Sequence, residues 1–223
     1  MKCWVISDTH AQHLSLGLPT ESIEIIIHAG DSTNYRDWVN NQPEFEEFIK
    51  WFSGISIKNK ILIAGNHDTW ALKKYNVDRV KELGIHYLEH EYLELEGKLI
   101  FGSPYTPTFG NWHFMKDRGK LSQYWEALTE NIDALVTHGP PKGILDLSHD
   151  RDHNLEYCGD GALTKAVFKV KPKFHVFGHI HNSEGCYNQG IRTFENINFV
   201  NASCVTDGKF NQGCTSHGLI IDI

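Results

Sequence analysis

Five short apolar runs in this 223-residue chain end on residues that can ligate metals or move protons. Val5-Ile6-Ser7 leads into Asp8-Thr9-His10, and Ile25-Ile26-Ile27 into His28-Ala29-Gly30-Asp31. Lys60-Ile61-Leu62-Ile63-Ala64 leads into Gly65-Asn66-His67-Asp68, Leu135-Val136-Thr137 into His138-Gly139, and Val176-Phe177 into Gly178-His179-Ile180-His181. Short apolar runs bounded by Gly read as buried strands. In α/β chains, binding and catalytic groups sit just past the C-terminal ends of such strands. Gly-Asn-His-Asp taken alone is also ordinary turn and helix-cap chemistry. Turn chemistry does not explain five strand ends that each deliver Asp, Asn or His.

Two divalent cations held about 3.5–4 Å apart need a bridging anion and further ligands on each side. Asp31, directly after Gly30 where the backbone can approach closely, suits the bridge. The other donors divide into two groups: Asp8, His10 and one His of the Gly-His-Ile-His pair, and Asn66, His138 and the other His. Imidazole, carboxylate and amide oxygen without thiolate suit Mn²⁺, Fe or Zn²⁺ in an open site rather than a closed structural zinc. A hydroxide between the cations would be the nucleophile, because coordination lowers the pKa of water towards neutrality. His67 is the expected proton donor, with Asp68 expected to fix its imidazole tautomer.

The elements that must position these groups follow from periodicity. Strands are predicted over Lys2 to Ser7, Ser22 to His28, Ala134 to Thr137 and Phe174 to Phe177, besides the run before Gly65. Phe45, Phe48, Ile49 and Phe52 recur at helical spacing, which predicts a helix over Glu44 to Phe52 after a loop from Asn34 to Gln42. Further helices are predicted over Trp70 to Leu83, Leu121 to Asn131 and Ala162 to Lys169. Between Ile85 and Gly102 three short runs with charged turns read as a meander, and Gly139 to Gly161 as a long polar loop. Ile191 to Glu195, Asn198 to Ala202 and Leu219 to Ile223 read as antiparallel strands. The implied architecture is α/β, two packed mixed sheets with helices outside, forming a single domain over 1–223.

Composition narrows the function. With 40% hydrophobic and 12% aromatic residues the chain is not a disordered one. Its 28 acidic against 21 basic residues give a net charge of −7, which argues against stable nucleic-acid binding. Five scattered cysteines without a Cys-x-x-Cys pair read as reduced thiols. Met1-Lys2 runs straight into the first strand and no run approaches a membrane span, so the expected location is cytoplasmic. Among other polar residues, His28 and His175 read as packed strand histidines, His28 either in the core or behind the ligands. His149, Asp150, Asp152 and His153 read as a solvated loop. Tyr105, Phe109 and Trp112 could stack on a substrate base or staple their loop to the fold.

Asp8-Thr9-His10, Gly30-Asp31, Gly65-Asn66-His67-Asp68, His138 and Gly178-His179-Ile180-His181, in this order, resemble the motif set of the calcineurin-like metallophosphoesterase superfamily. The resemblance implies a four-layer α/β/β/α sandwich. It places His181 with Asp8 and His10 on one metal, and His179 with Asn66 and His138 on the other. His67 would then stand near the leaving oxygen. Gly102-Ser103-Pro104-Tyr105-Thr106-Pro107, Phe109-Gly110-Asn111-Trp112 and Thr137-His138-Gly139-Pro140-Pro141 look like the metallophosphoesterase-domain-containing branch, as does Lys171 to Gly178. That likeness implies a Mn²⁺-dependent phosphodiesterase for cyclic nucleotides or other small phosphodiesters. After His181 the branch often continues Gly-Tyr-Gly, where this chain has Asn182-Ser183-Glu184-Gly185. The alternatives kept open are a phosphomonoesterase or protein phosphatase, and a metal-binding scaffold without turnover.

Overall fold

Every residue of Ile25–His28, Asn59–Leu62 and Ala134–Thr137 is buried, so these strands are covered on both faces. The cover is a second sheet on one side and helices on the other. The computed structural model describes residues 1–209 and 212–223. In chain order the first half builds β1 (Lys2–Ile6), β2 (Ile25–His28), α1 (Trp38–Gly54), β3 (Asn59–Leu62), α2 (Lys74–Glu82) and β4 (Ile85–Tyr87). The middle adds β5 (Glu91–Leu95), β6 (Lys98–Ser103), β7 (Thr106–Pro107), β8 (Met115–Lys116), α3 (Leu121–Trp125) and β9 (Ala134–Thr137). Then follow β10 (Leu147–His149), β11 (Leu155–Tyr157), α4 (Gly161–Val170), β12 (Phe174–Phe177), β13 (Gly190–Phe194), β14 (Ile197–Asn201) and β15 (Leu219–Asp222).

Two mixed sheets result. One has the order β15-β1-β2-β3-β4, parallel except for β15; the other has the order β13-β14-β12-β9-β6-β5, parallel in its centre and antiparallel at both edges. Val5, Ile27, Ile61, Val136, Val176 and Val200 fill the space between them. Phe45, Phe48 and Phe52 of α1 pack with Trp4 and Ile26 on the outer face of the first sheet, and Leu163 and Val167 of α4 pack with Phe177 and Phe199 on that of the second. The expected four-layer α/β/β/α sandwich is therefore the observed one. A bridge between Ser7 and Ser203, with the Cys204 amide donating to Ser7 O (2.9 Å), ties the two sheets together where β1 and β14 end. The loops after β1, β2, β3, β9 and β12 consequently meet along one edge.

Several element limits differ from the sequence expectation. The first helix starts at Trp38 rather than Glu44, because Asp37 caps it by accepting the Asn40 N–H (3.0 Å). The predicted Trp70 to Leu83 helix splits into a 3₁₀ turn, Thr69–Leu72, and α2. The Trp70 indole N–H is drawn to Asp68 Oδ1 (3.1 Å), away from a regular helical course. The third helix stops at Trp125: the Tyr92 hydroxyl donates to Ala127 O and accepts from the Thr129 N–H, which takes both groups out of a helical ladder. The expected loop from Gly139 to Gly161 contains the β10–β11 hairpin. The strand at Ile197–Asn201 is antiparallel to β13 but parallel to β12.

Candidate metal centre

The strand ends bring Asp8, His10, Asp31, Asn66, His138, His179 and His181 together. Asp31 is central. Its Oδ2 lies 3.4 Å from His138 Nε2, 3.8 Å from His10 Nε2 and 4.0 Å from His67 Nε2, while its Oδ1 accepts the His67 amide (2.8 Å). On one side Asp8 Oδ1 lies 3.1 Å from His181 Nε2, which is 3.4 Å from His10 Nε2. On the other, Asn66 Oδ1 is 3.1 Å from His138 Nε2, and His179 groups with Asp31 and His138. Asp31 Oδ2 thus occupies the position between the two groups, as a bridging ligand would.

The tautomers test whether these residues fit cations. His138 Nδ1 faces the Ala29 carbonyl (2.9 Å), and a carbonyl only accepts, so Nδ1 carries a proton. The other nitrogen, Nε2, then directs its lone pair at two oxygens, Asn66 Oδ1 and Asp31 Oδ2. His181 repeats the pattern: Nδ1 faces Asp207 Oδ1 (2.8 Å), leaving Nε2 turned to Asp8 Oδ1. Acceptors converging in this way require a proton or a cation between them. Burial disfavours charge on both rings, but Asp8 with Asp207 lifts His181 to about 10, and Asp31 with Asp8 lifts His138 to about 9. Burial pushes His10 and His179 down to about 3, so both rings are neutral at pH 7, as metal ligands would need to be. Despite their own burial, Asp8 and Asp31 are held well below the usual carboxylate range by the surrounding histidines. The residues therefore suit divalent cations, which would replace those two protons.

Backbone strain is concentrated here. Asp8 (φ 52°), His10 (φ 42°), Asp31 (φ 54°) and His179 (φ 68°) all occupy the left-handed region. For residues other than Gly this costs on the order of 1–3 kcal/mol each and persists only where surrounding bonds enforce it. The His179 amide donates to both Asp8 oxygens (3.0 and 2.9 Å) and Ser203 Oγ donates to Asp8 Oδ2 (2.8 Å). Two glycines allow this approach. A Cβ on Gly65 would strike the Asp31 carboxylate, and one on Gly178 would strike those of Asp8 and the Ser7 side chain.

His67 lies beside the cluster, but Asp68 does not orient it. The His67 Nδ1 faces the Asn34 carbonyl at 2.5 Å, and its ring stacks on Trp112 (4.2 Å, 29°) with Arg36 5.7 Å over the indole. The buried Asp68 carboxylate instead accepts from Ser32 Oγ (2.7 Å), Thr33 N (3.0 Å), Thr33 Oγ1 (2.9 Å) and Gly65 N (2.8 Å). It points back into a ring of donors that hold the turn, which corrects the sequence expectation for its role. His28 and His175 are fully buried and bond Thr9 Oγ1 (3.0 Å) and Thr137 Oγ1 (2.8 Å); His28 also packs on Phe48. Asp150 caps its own loop through the Asp152 and Asn154 amides. Phe109 lies 5.3 Å from His179, while Tyr105 packs on Tyr124 beneath Lys116. Asn34, Ser203 and Asp207 were not singled out from sequence.

A model of the calcineurin-like phosphoesterase family matches residues 1–183. The chain belongs to that family. It is 32% identical to human metallophosphoesterase domain-containing protein 1 over 226 residues, which cover 90% of this chain and 65% of that relative. It is 31% identical to the Caenorhabditis elegans UPF0046 protein K07C11.7 over 88% of this chain and 69% of that one. The chain thus spans just under two thirds of the human relative's length. The crystal structure of TT1561 of Thermus thermophilus shares the fold, with a TM-score of 0.57 at 12% identity over 90% of this chain and 88% of that one. In this calcineurin-like phosphoesterase the matched span contains every candidate ligand, whereas Ser203 and Asp207 lie beyond it.

Proposed function

We propose that this protein is a metal-dependent phosphodiesterase for small phosphodiesters, cyclic nucleotides among them, with one domain over 1–223. The observation that carries the reading is the pair of imidazole nitrogens, His138 Nε2 and His181 Nε2, each turned on carboxylate or amide oxygens beside Asp31 and Asp8. Asp8, His10 and His181 would hold one divalent cation and Asn66, His138 and His179 the other, with Asp31 common to both. The oxygen and nitrogen donors are compatible with Mn²⁺, Fe or Zn²⁺, and Mn²⁺ is the ion that the likeness to the metallophosphoesterase-domain-containing branch implies. Bound cations would supply Lewis acidity towards the phosphoryl oxygens and acidify water.

The chain's own part falls to His67. With Nδ1 donating to Asn34 O, protonated His67 presents its Nε2–H towards the cluster, where it can donate to a leaving oxygen. Trp112 stacked on the ring keeps that direction fixed. The net charge of −7 disfavours stable binding of a nucleic-acid backbone. Five free cysteines accord with a cytoplasmic location, and no helix among the described residues is long and apolar enough to cross a membrane.

The test is hydrolysis of bis(p-nitrophenyl) phosphate and p-nitrophenyl phosphate by metal-stripped protein as Mn²⁺ is added back. Metal-dependent cleavage that favours the diester supports the proposal. Preference for the monoester would make it a phosphomonoesterase or protein phosphatase, and metal binding without cleavage of either ester would make it a scaffold.

A further inference from the structure

A cavity of about 680 Å³ adjoins the metal centre at His179 and is walled by the β10–β11 hairpin. Three cations line it, Arg118, Lys142 and Arg151, in a chain whose net charge is −7. None of the three forms an ion pair with a carboxylate among the described residues, whereas Lys2, Lys58, Lys74, Arg79 and Lys173 all do. The cavity's two carboxylates are turned to other tasks: Asp150 accepts the Asp152 and Asn154 amides (2.8 Å each), and Glu156 Oε1 faces Cys158 Sγ (3.8 Å).

The wall is anchored rather than loose. The buried Asp146 carboxylate accepts from the Gly143 and Gly159 amides, and Arg118 donates to Gly159 O and Cys158 O (3.0 Å each). Asn188 joins the hairpin to the ligand loop: its Oδ1 accepts the Leu147 amide, and its Nδ2 donates to Leu147 O (2.8 Å) and His181 O (2.9 Å). The hairpin beside these cations is therefore tied directly to the loop that carries His181.

We propose that this cavity is a subsite for a second anionic group, a terminal phosphate carried by the substrate away from the ester that is cleaved. The inference rests on the phosphodiesterase reading of the adjoining centre and names the substrate class it favours, small phosphodiesters bearing an additional phosphate. Lys142 and Arg151 reach the anion from the rim, and Arg118, tied to the hairpin backbone, holds that rim in place. Cations without a carboxylate partner are available for short, charge-assisted bonds to phosphate oxygens.

The matched probes are thymidine 5′-(p-nitrophenyl phosphate) and the same ester carrying a 3′-phosphate, assayed with the Mn²⁺-loaded full chain. The 3′-phosphate is expected to lower KM about tenfold. In Lys142→Gln and Arg151→Gln that ratio should shrink towards one, while Lys165→Gln, an exposed lysine on α4, keeps it. Equal KM values for the two esters in the parent protein, or a preference that survives both substitutions, would overturn the subsite. Should neither ester be cleaved, the phosphodiesterase reading fails by itself and calorimetry decides the subsite: thymidine 3′,5′-bisphosphate must bind more tightly than thymidine 5′-phosphate, and the difference must vanish in Lys142→Gln.

Discussion

The roles of His67 and Asp68, adjacent in the chain, separate in the structure. His67 faces the cluster with its Nδ1 on Asn34 O, while Asp68 turns away into Ser32, Thr33, Gly65 and Trp70. His67→Ala is therefore expected to lower kcat for a diester by about 10²–10⁴, with bound Mn²⁺ per chain unchanged. Metal analysis beside steady-state rates checks this; equal loss of metal and rate would contradict it. Asp68→Ala should act through the fold, since removing the acceptor strands buried donors at about 1–3 kcal/mol each. A lower urea midpoint is expected together with metal loss, because the turn that carries Asn66 loosens. The convergence of these residues was legible in sequence because Asp, Asn and His at Gly-bounded strand ends are few and ordered. Asn34 was not, since it acts through a backbone carbonyl that any residue supplies. Ser203, 195 residues from its partner Asp8, and Asp207, 26 residues from His181, have no motif to mark them.

At the scale of elements, the centre depends on strand ends meeting turns with no room for a side chain. Gly178→Ala should abolish Mn²⁺ binding in the Asp8 group, because the added methyl would displace the Asp8 carboxylate. Isothermal titration with Mn²⁺ reads the loss; unchanged binding would show that the approach at Gly178 is not needed. The central strands were legible because parallel strands buried on both faces are continuous apolar runs. Helix limits were less so, since Asp37 and Tyr92 set them through hydrogen bonds that periodicity does not carry. The β10–β11 hairpin escaped notice because all of β11, Leu155–Tyr157, is exposed and leaves no buried face to alternate.

For the whole molecule, buried neutral histidines tie stability to pH. Burial lowers His13 to about 4 and both His28 and His175 to about 3, against roughly 6.5 in an unfolded chain. Below that value the unfolded chain takes up protons that the folded one refuses. Stability from these groups is thus complete above about pH 6.5 and falls as pH drops towards 4, by up to about 1.4 kcal/mol per pH unit for each. His138 and His181, raised to about 9 and 10 without metal, have the opposite sign: their contribution is complete below about 6.5 and is lost as pH rises through those values. Urea midpoints of the metal-stripped protein should therefore peak near neutrality, and Mn²⁺ should raise the alkaline side most, since it replaces the lost protons. A midpoint that rises steadily to pH 5 would contradict the neutral state of the buried histidines. The apolar runs at the sheet centres were legible as strands, but the meander expected from Ile85 to Gly102 is not formed: β4 pairs parallel with β3 in the first sheet, and only β5 and β6 make an antiparallel hairpin, in the second. The direction of β14 was not legible either. A strand that is antiparallel to one neighbour and parallel to the other has the same sequence either way.

The most direct measurement is the number of Mn²⁺ ions bound at equilibrium dialysis by the metal-stripped chain and by Asp31→Ala. Two per chain in the parent, with the loss of at least one in the variant, is the result expected of a centre built on a shared Asp31. Binding of no Mn²⁺, or two ions retained without the Asp31 carboxylate, would contradict it.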